Sequence, residues 1–417
     1  MTASLKKLAI VGVLLAMTLT LMFAAAGSAQ STLTPEEQLG KSIYFDTDLS
    51  INMNQSCASC HDPAWGWVGP DSDTNVHGSV YEGSIPGRFG NRKPPSAAYA
   101  TLSPILFLDK KGTWVGGNFW DGRATGEKLG NPAADQAQGP FLNPKEQALP
   151  DSACVVYRVC NASYEEVSFE EIWGAEACDI TWPADIETAC ATEGATVSLS
   201  GADRDKSDMA YDQIALSIAA FEDSPEVNAF TSKYDYSLVD IAKLSKQERK
   251  GFALFQGKGK CKLCHISSGK MPLFTDYTFD NLGLPKNPEN PVYNEDPDFV
   301  DLGLGGFLGD SAEWGKQKVP TLRNVGLRPS ADDVKAYGHN GYFKSLEGIV
   351  HFYNTRDVLP VCPGDYTEAE ALAADCWPAP EVAENVNTDE LGDLGLSPEE
   401  EAAIVAFLKT LSDGYQP

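Results

Sequence analysis

Cys57-Ala-Ser-Cys60-His61 and Cys261-Lys-Leu-Cys264-His265 are two copies of the pattern C-x-x-C-H in one chain of 417 residues. Two thiols at that spacing beside an imidazole are the attachment signal for c-type haem. The thiols form thioether bonds to the porphyrin, and the histidine takes the iron from one side. At the chain's own Cys and His frequencies, roughly 0.003 such matches would arise by chance, so two copies are no accident. A redox dithiol gives no reason for the following histidine. Half of a zinc site would need a second ligand pair nearby, which neither copy has. The chain reads as carrying two covalently bound haem c groups.

Working outward, each motif is preceded by the same helix signature. Thr34-Pro-Glu-Glu37 places Thr as N-cap, Pro at the first helical position and Glu three residues after the cap, and Ser245-Lys-Gln-Glu248 repeats the cap and the Glu. With the caps aligned, Gly40 meets Gly251, Ile43 meets Leu254 and Tyr44 meets Phe255, and the loop to the haem motif is seven residues longer in the first copy. This weak internal repeat and the chain length predict two small helical cytochrome c domains, residues 30–225 and 226–417. Asp212–Glu222 reads as the closing helix of the first. Ser397-Pro-Glu-Glu400 caps that of the second, with Ile404, Val405, Phe407, Leu408 and Leu411 as its apolar positions. Strand patterns are scarce, so the fold class is mainly α with long loops.

Met1–Ala29 reads as a signal peptide: Lys6 and Lys7, an apolar run from Leu8 to Ala26, then Gly27-Ser28-Ala29 as a small-residue cleavage site. A retained anchor is the rival reading. Export to the periplasm agrees with the haem motifs. No other stretch is apolar enough to cross a membrane, so the processed chain is expected not to be an integral membrane protein. Losing the two lysines takes the formal charge from −27 to −29. Such acidity argues against nucleic acid and suits a basic partner protein or solubility.

Six cysteines remain: Cys154, Cys160, Cys178, Cys190, Cys362 and Cys376. An even number in an exported chain predicts three disulfides. Proximity favours Cys154–Cys160, Cys178–Cys190 and Cys362–Cys376, among the fifteen pairings that six cysteines allow. The first four lie in an acidic, irregular segment, about 150–201, read as an insertion in the first domain that is stapled because it cannot build a core.

Asn118-Phe-Trp-Asp-Gly-Arg123, then Gln136-Ala-Gln-Gly-Pro140 and Glu146, complete a longer pattern with the two haem motifs. Lys318-Val-Pro-Thr-Leu-Arg-Asn324, His339-Asn-Gly341 and Ser345-Leu-Glu-Gly-Ile-Val-His-Phe-Tyr353 extend it. Together these residues resemble the bacterial di-haem cytochrome c peroxidase family, which includes the methylamine-utilisation protein MauG. The resemblance covers nearly all of the chain after residue 29 except 150–201. It implies a haem in each domain and a tryptophan between them, Trp120, whose indole can carry an electron or a hole; Trp120 also reads as ordinary interface packing. It implies hydrogen peroxide as substrate at the first haem, with His61 as proximal ligand, Glu146 as catalytic glutamate and Gln136 in the distal pocket. A carboxylate over the iron suits proton transfer from one peroxide oxygen to the other. The spacing from Gln136 is what lifts Glu146 out of a background of 59 acids.

Departures from the family's pattern bear on three further residues. His77 lies sixteen residues after His61, the separation of the distal histidine in the family's peroxidases, but the loop from His77 to Pro94 is longer here. A ligand to the first haem and a solvent-exposed loop histidine are both open readings. The family binds calcium between its domains, partly through an asparagine that aligns with Tyr99. Asn91 is the substitute candidate, with backbone carbonyls near Ala336 completing the site. Finally, the family's peroxidases place methionine opposite the second proximal histidine, where this chain has Tyr353, as MauG has. Met271 follows His265 too closely to reach the opposite face, so Tyr353 is the expected second ligand, with His351 its rival and a five-coordinate haem the plainest alternative.

A phenolate would lower the iron potential and stabilise high-valent iron. That favours storing two oxidising equivalents across both haems and oxidising a partner protein. The other readings are a peroxidase fed by a small cytochrome c or cupredoxin, and a non-enzymatic electron carrier. Gln136 and Glu146 argue against the carrier.

Overall fold

Residues 33–417 are described by the computed structural model; the expected signal peptide, residues 1–29, lies outside them. The fold is mostly helical. Seven helices position the rest: α1 (Pro35–Phe45), α2 (Pro132–Leu142), α3 (Ser152–Asn161), α4 (Gly201–Asp223), α5 (Lys246–Gln256), α6 (Leu346–Thr355) and α7 (Pro398–Leu408). The capping boxes read at Ser245 and Ser397 are both formed, with each serine side chain accepting from the N3 backbone and each glutamate returning to the cap. Strand, among the described residues, is confined to isolated bridges and two antiparallel ladders of two residues per strand. These are β1 (Phe107–Leu108) on β2 (Trp114–Val115) and β3 (Phe279–Asp280) on β4 (Gln317–Lys318). No helix among the described residues is long and apolar enough to cross a membrane.

The internal repeat has a physical counterpart. α1 packs across α4 and α5 packs across α7, and each crossing is made at a glycine. A Cβ on Gly40 would overlap the Ser217 carbonyl oxygen and meet Phe221; one on Gly251 would overlap the Ala403 carbonyl oxygen and meet Phe407. Bare backbone is what lets each helix pair close. Around the first crossing Tyr44, Trp67 and Phe221 meet edge to face with ring centroids 5.4–5.8 Å apart. Around the second, Phe255, Phe274 and Phe407 do the same within one buried cluster that extends to Phe343, Phe352 and Trp377. Burying each such ring stabilises by about 1.5–3 kcal/mol. Gly251→Ala should therefore cost about 1–3 kcal/mol by overpacking, read as a lower denaturation midpoint at unchanged slope.

Three expectations are corrected here. The disulfides are Cys154–Cys190, Cys160–Cys178 and Cys362–Cys376, so only the last of the three expected pairs forms. Cys154 and Cys160 both lie on α3. Six helical residues separate them by about 9 Å along the axis, beyond the reach of a disulfide. Each therefore ties α3 to a later part of the segment. Nor is residues 150–201 irregular throughout: α3 is capped by the Asp151 side chain and buries Ala153, Val155, Val156 and Val159, packing on α4. The segment borrows the core of its neighbours. α4 itself starts at Gly201, earlier than the expected Asp212.

Candidate functional site

Both haem motifs fold as 3₁₀ turns, Cys57–Ser59 and Cys261–Leu263. The histidine N–H closes each turn by donating to the first cysteine's carbonyl, at 3.0 Å for His61 and 2.9 Å for His265. The rings are held the same way. His61 Nδ1 lies 3.2 Å from the Trp67 carbonyl oxygen, and His265 Nδ1 2.8 Å from that of Phe274. With the proton on Nδ1, each Nε2 keeps its lone pair for a metal. Burial pushes the His61 imidazole down to about 4 and lowers His265 as well, so both rings are neutral at pH 7, the state a ligand needs.

Each motif opens into its own cavity. Cys57, Cys60 and His61 line the first; Cys261, Cys264 and His265 line the second. These four cysteines are also the ones left free of disulfides. Two unoxidised thiols and a neutral imidazole on one cavity wall are the donor set of a covalently attached haem, and the residues fit it twice.

Gln136 and Glu146 both line the first cavity. Gln136 rides on α2, whose Asn131 N-cap accepts from Ala133 N at 2.8 Å. Glu146 follows in a turn, its N–H donating to Asn143 O at 2.9 Å and its carbonyl accepting from Ser84 N at 2.7 Å. Gly83 makes that contact close: a Cβ there would sit 2.5 Å from the Lys145 carbonyl oxygen. Burial raises the Glu146 carboxyl above the ordinary range, opposed by the Arg123 guanidinium and a hydrogen bond to Asn143. A carboxyl so placed holds its proton to higher pH than an exposed one and can pass it on.

Trp120 lines both cavities. It is 9% exposed, and its Nε1–H donates to the Lys93 carbonyl at 2.8 Å. Its own carbonyl accepts from Lys318 N at 2.7 Å, on β4. The indole is thus fixed at both ends in the shared wall.

In the second cavity the two ligand candidates separate. Tyr353 lines it. His351, also on α6, does not; it turns to the Glu401 carboxylate, with Nδ1 3.0 Å from Oε1. Met271 is 62% exposed. Burial, and the cysteine thiols and Asp280 close by, push the Tyr353 hydroxyl well above its ordinary value, against Arg356. Without a metal it stays protonated.

The structure does not bring His77 to the first cavity. Its side chain is 61% exposed at the end of a short helix, Ser72–Val76, with Nδ1 2.8 Å from the Asp73 carbonyl oxygen. The longer loop to Pro94 leaves it on the surface, as in the solvent-exposed reading. His77→Gly should leave the spin state of the first haem unchanged in the absorption and EPR spectra. Backbone carbonyls at both expected calcium positions already accept hydrogen bonds. Asn91 lines the first cavity, but its carbonyl accepts from Asn290 Nδ2 at 2.9 Å. Beside Ala336 the converging carbonyls of Trp65, Asn324 and Leu327 lie 2.8, 2.6 and 3.2 Å from Lys335 Nζ. The Lys335 side-chain nitrogen fills that cage.

Lys335 and Lys93 are buried and Lys318 is half-buried, and sequence reading assigned a role to none of the three. Burial lowers all three, Lys93 to about 8 and Lys318 to about 7. Lys93 and Lys318 line both cavities, and Lys318 Nζ donates to Ser103 Oγ and the Gly117 carbonyl. Lysine in a chain is ordinarily surface; nothing in the residue pattern marked Lys93 or Lys335, and Lys318 stood out only as part of a longer motif.

Two haem-binding motifs opening on two cavities that share a tryptophan define the class, and the chain belongs to the di-haem cytochrome c peroxidase family. Residues 34–242 match the family model of that description. The chain is 32% identical to the methylamine utilization protein MauG of Paracoccus denitrificans, covering 96% of this chain and 95% of that protein. It is 27% identical to the cytochrome c551 peroxidase of Nitrosomonas europaea, over 81% of each. The crystal structure of the diheme peroxidase BthA from Burkholderia thailandensis superposes with a TM-score of 0.70 at 27% identity, covering 92% of this chain and 87% of that one. Members of this family are oxidoreductases, and the family implies two haem c groups.

Proposed function

We propose that this is an exported, periplasmic di-haem oxidoreductase of MauG type. Hydrogen peroxide is cleaved in the first cavity, the second cavity exchanges electrons, and the reductant is a residue of a partner protein. The observation that carries the reading is Tyr353: it lines the second cavity, while His351 is held by Glu401 and Met271 lies at the surface. The bound haem irons supply a coordination position for peroxide and two electron-exchanging centres. The chain's residues do the rest. Glu146 takes a proton from one peroxide oxygen and delivers it to the leaving one, with Gln136 beside it to orient the substrate. Trp120, in both cavity walls, is the bridge for electron transfer. Tyr353, once its proton is displaced, is the anionic ligand that favours an oxidised second haem. The halves are two domains, residues 30–225 and 226–417, each built on its own glycine crossing.

Stoichiometric peroxide, added to the oxidised protein without a donor, tests this. The absorption bands of both haems should change together and persist, then return when a protein reductant is supplied. A change confined to the first haem, with rapid turnover on a small cytochrome c or cupredoxin, would favour the second reading, an ordinary peroxidase.

A further inference from the structure

The two helix crossings allow the two cavities to be compared position by position. Ser217 and Phe221 meet Gly40 as Ala403 and Phe407 meet Gly251. One residue further along, Glu222 on α4 corresponds to Leu408 on α7. Both line their cavities, Glu222 the first and Leu408 the second. On the facing helices Tyr44 corresponds to Phe255, again with one in each cavity. The second half shows that an apolar pair satisfies the packing at these positions. The first half carries a carboxyl and a phenol instead.

The phenol is accounted for: Tyr44 Oη donates to the His61 carbonyl at 3.1 Å. The carboxyl has no such partner. Glu222 is 5% exposed, and no hydrogen bond or ion pair to it is made by the described residues. Cations on and around α4 are engaged elsewhere: Lys41 with Glu226 at 2.5 Å, Lys128 with Asp212 at 2.6 Å and Arg204 with Asp151 at 2.8 Å. The groups nearest it electrostatically are Tyr44 and Cys57, with Cys60, Asp62 and Glu146 acting on the same pair. The same cavity is also lined by His61, Arg123, Lys93 and Lys318. Burial raises the Glu222 carboxyl to about 8. A carboxylate left unpaired inside a protein is costly, and the group answers by staying protonated.

We propose that Glu222 is a redox-linked proton-holding group of the first cavity, neutral while the haem there is reduced and losing its proton as that haem is oxidised. In each cycle one electron passes from the first haem to a one-electron acceptor, and one proton leaves the Glu222 carboxyl for solvent. Both return when a one-electron donor re-reduces the haem. The cavity's net charge then changes little, which a low-dielectric site requires. Leu408 stands at the matching place in the second cavity, whose carboxyls, Asp280, Asp301, Glu381 and Glu390, come from other elements. The inference rests on a redox-active haem in the first cavity, and not on what that haem reduces.

The test is a spectroscopic redox titration of the purified two-haem protein over a pH range, using small-molecule mediators, for the wild type, Glu222→Gln and Glu222→Leu. The wild-type first haem should show a potential that falls as pH rises. Both variants should flatten the first-haem slope. In oxidised-minus-reduced infrared difference spectra, the carbonyl stretch of a protonated carboxyl should appear in the wild type and vanish in Glu222→Gln. A slope and band unchanged in the variants overturn the proposal. Leu is the residue the second half already uses here, so the Leu variant guards against loss of folding. A haem count of one in place of two would remove the underlying reading separately.

Discussion

Glu146→Gln should slow peroxide cleavage by about 100-fold or more while both haems stay attached, because a well-placed acid/base group contributes about 10²–10⁴. The substitution keeps shape and hydrogen bonding but cannot carry the proton between oxygens. Burial raises the Glu146 carboxyl, so the acid limb of the wild-type pH–rate profile should sit above the ordinary carboxylate range. Activity should rise as pH increases through that limb, where Glu146 becomes able to accept a proton, and the limb should disappear in the variant. Single-turnover mixing with peroxide over a pH series measures both. Wild-type rates in Glu146→Gln would remove it from the mechanism, and loss of haem would assign it a structural part.

Tyr353→Phe should abolish the stored oxidised state altogether and leave both haems covalently attached. The ring lines the second cavity with Cys261, Cys264 and His265, and phenylalanine keeps its bulk. What is lost is the one oxygen that can become an anionic ligand. Because burial holds that hydroxyl protonated when no metal faces it, ligation must release a proton. Formation of the ligated state should therefore be favoured by higher pH in the wild type and absent at every pH in the variant. The second-haem potential should rise in Tyr353→Phe. Unchanged spectra and potential would exclude Tyr353 as a ligand.

How much of this was legible follows the range of each signal. The haem motifs, the Ser245 and Ser397 caps and the Gly40/Gly251 correspondence are local patterns, and each is formed in the structure. Gln136, Glu146, Trp120 and Tyr353 were readable only through a resemblance extending over most of the chain; their convergence on two cavities is tertiary. The disulfides went wrong because nearness along the chain was used where helix geometry decides: Cys154 and Cys160 share α3 and point to different partners. His77 stayed open between two readings, because a count of residues does not say where a longer loop puts the side chain. The buried lysines and Glu222 could not be found from composition, since a charged residue inside a protein looks, in sequence, like one outside it.

The most direct measurement of the central claim is the absorption and EPR spectrum of the purified, fully oxidised protein at rest. One haem with an open, high-spin site beside one low-spin haem, and no thioether-to-iron band in the near infrared, is the result predicted by a first cavity free of His77 and a second closed by Tyr353. Two low-spin haems, or a thioether-to-iron band, would contradict it.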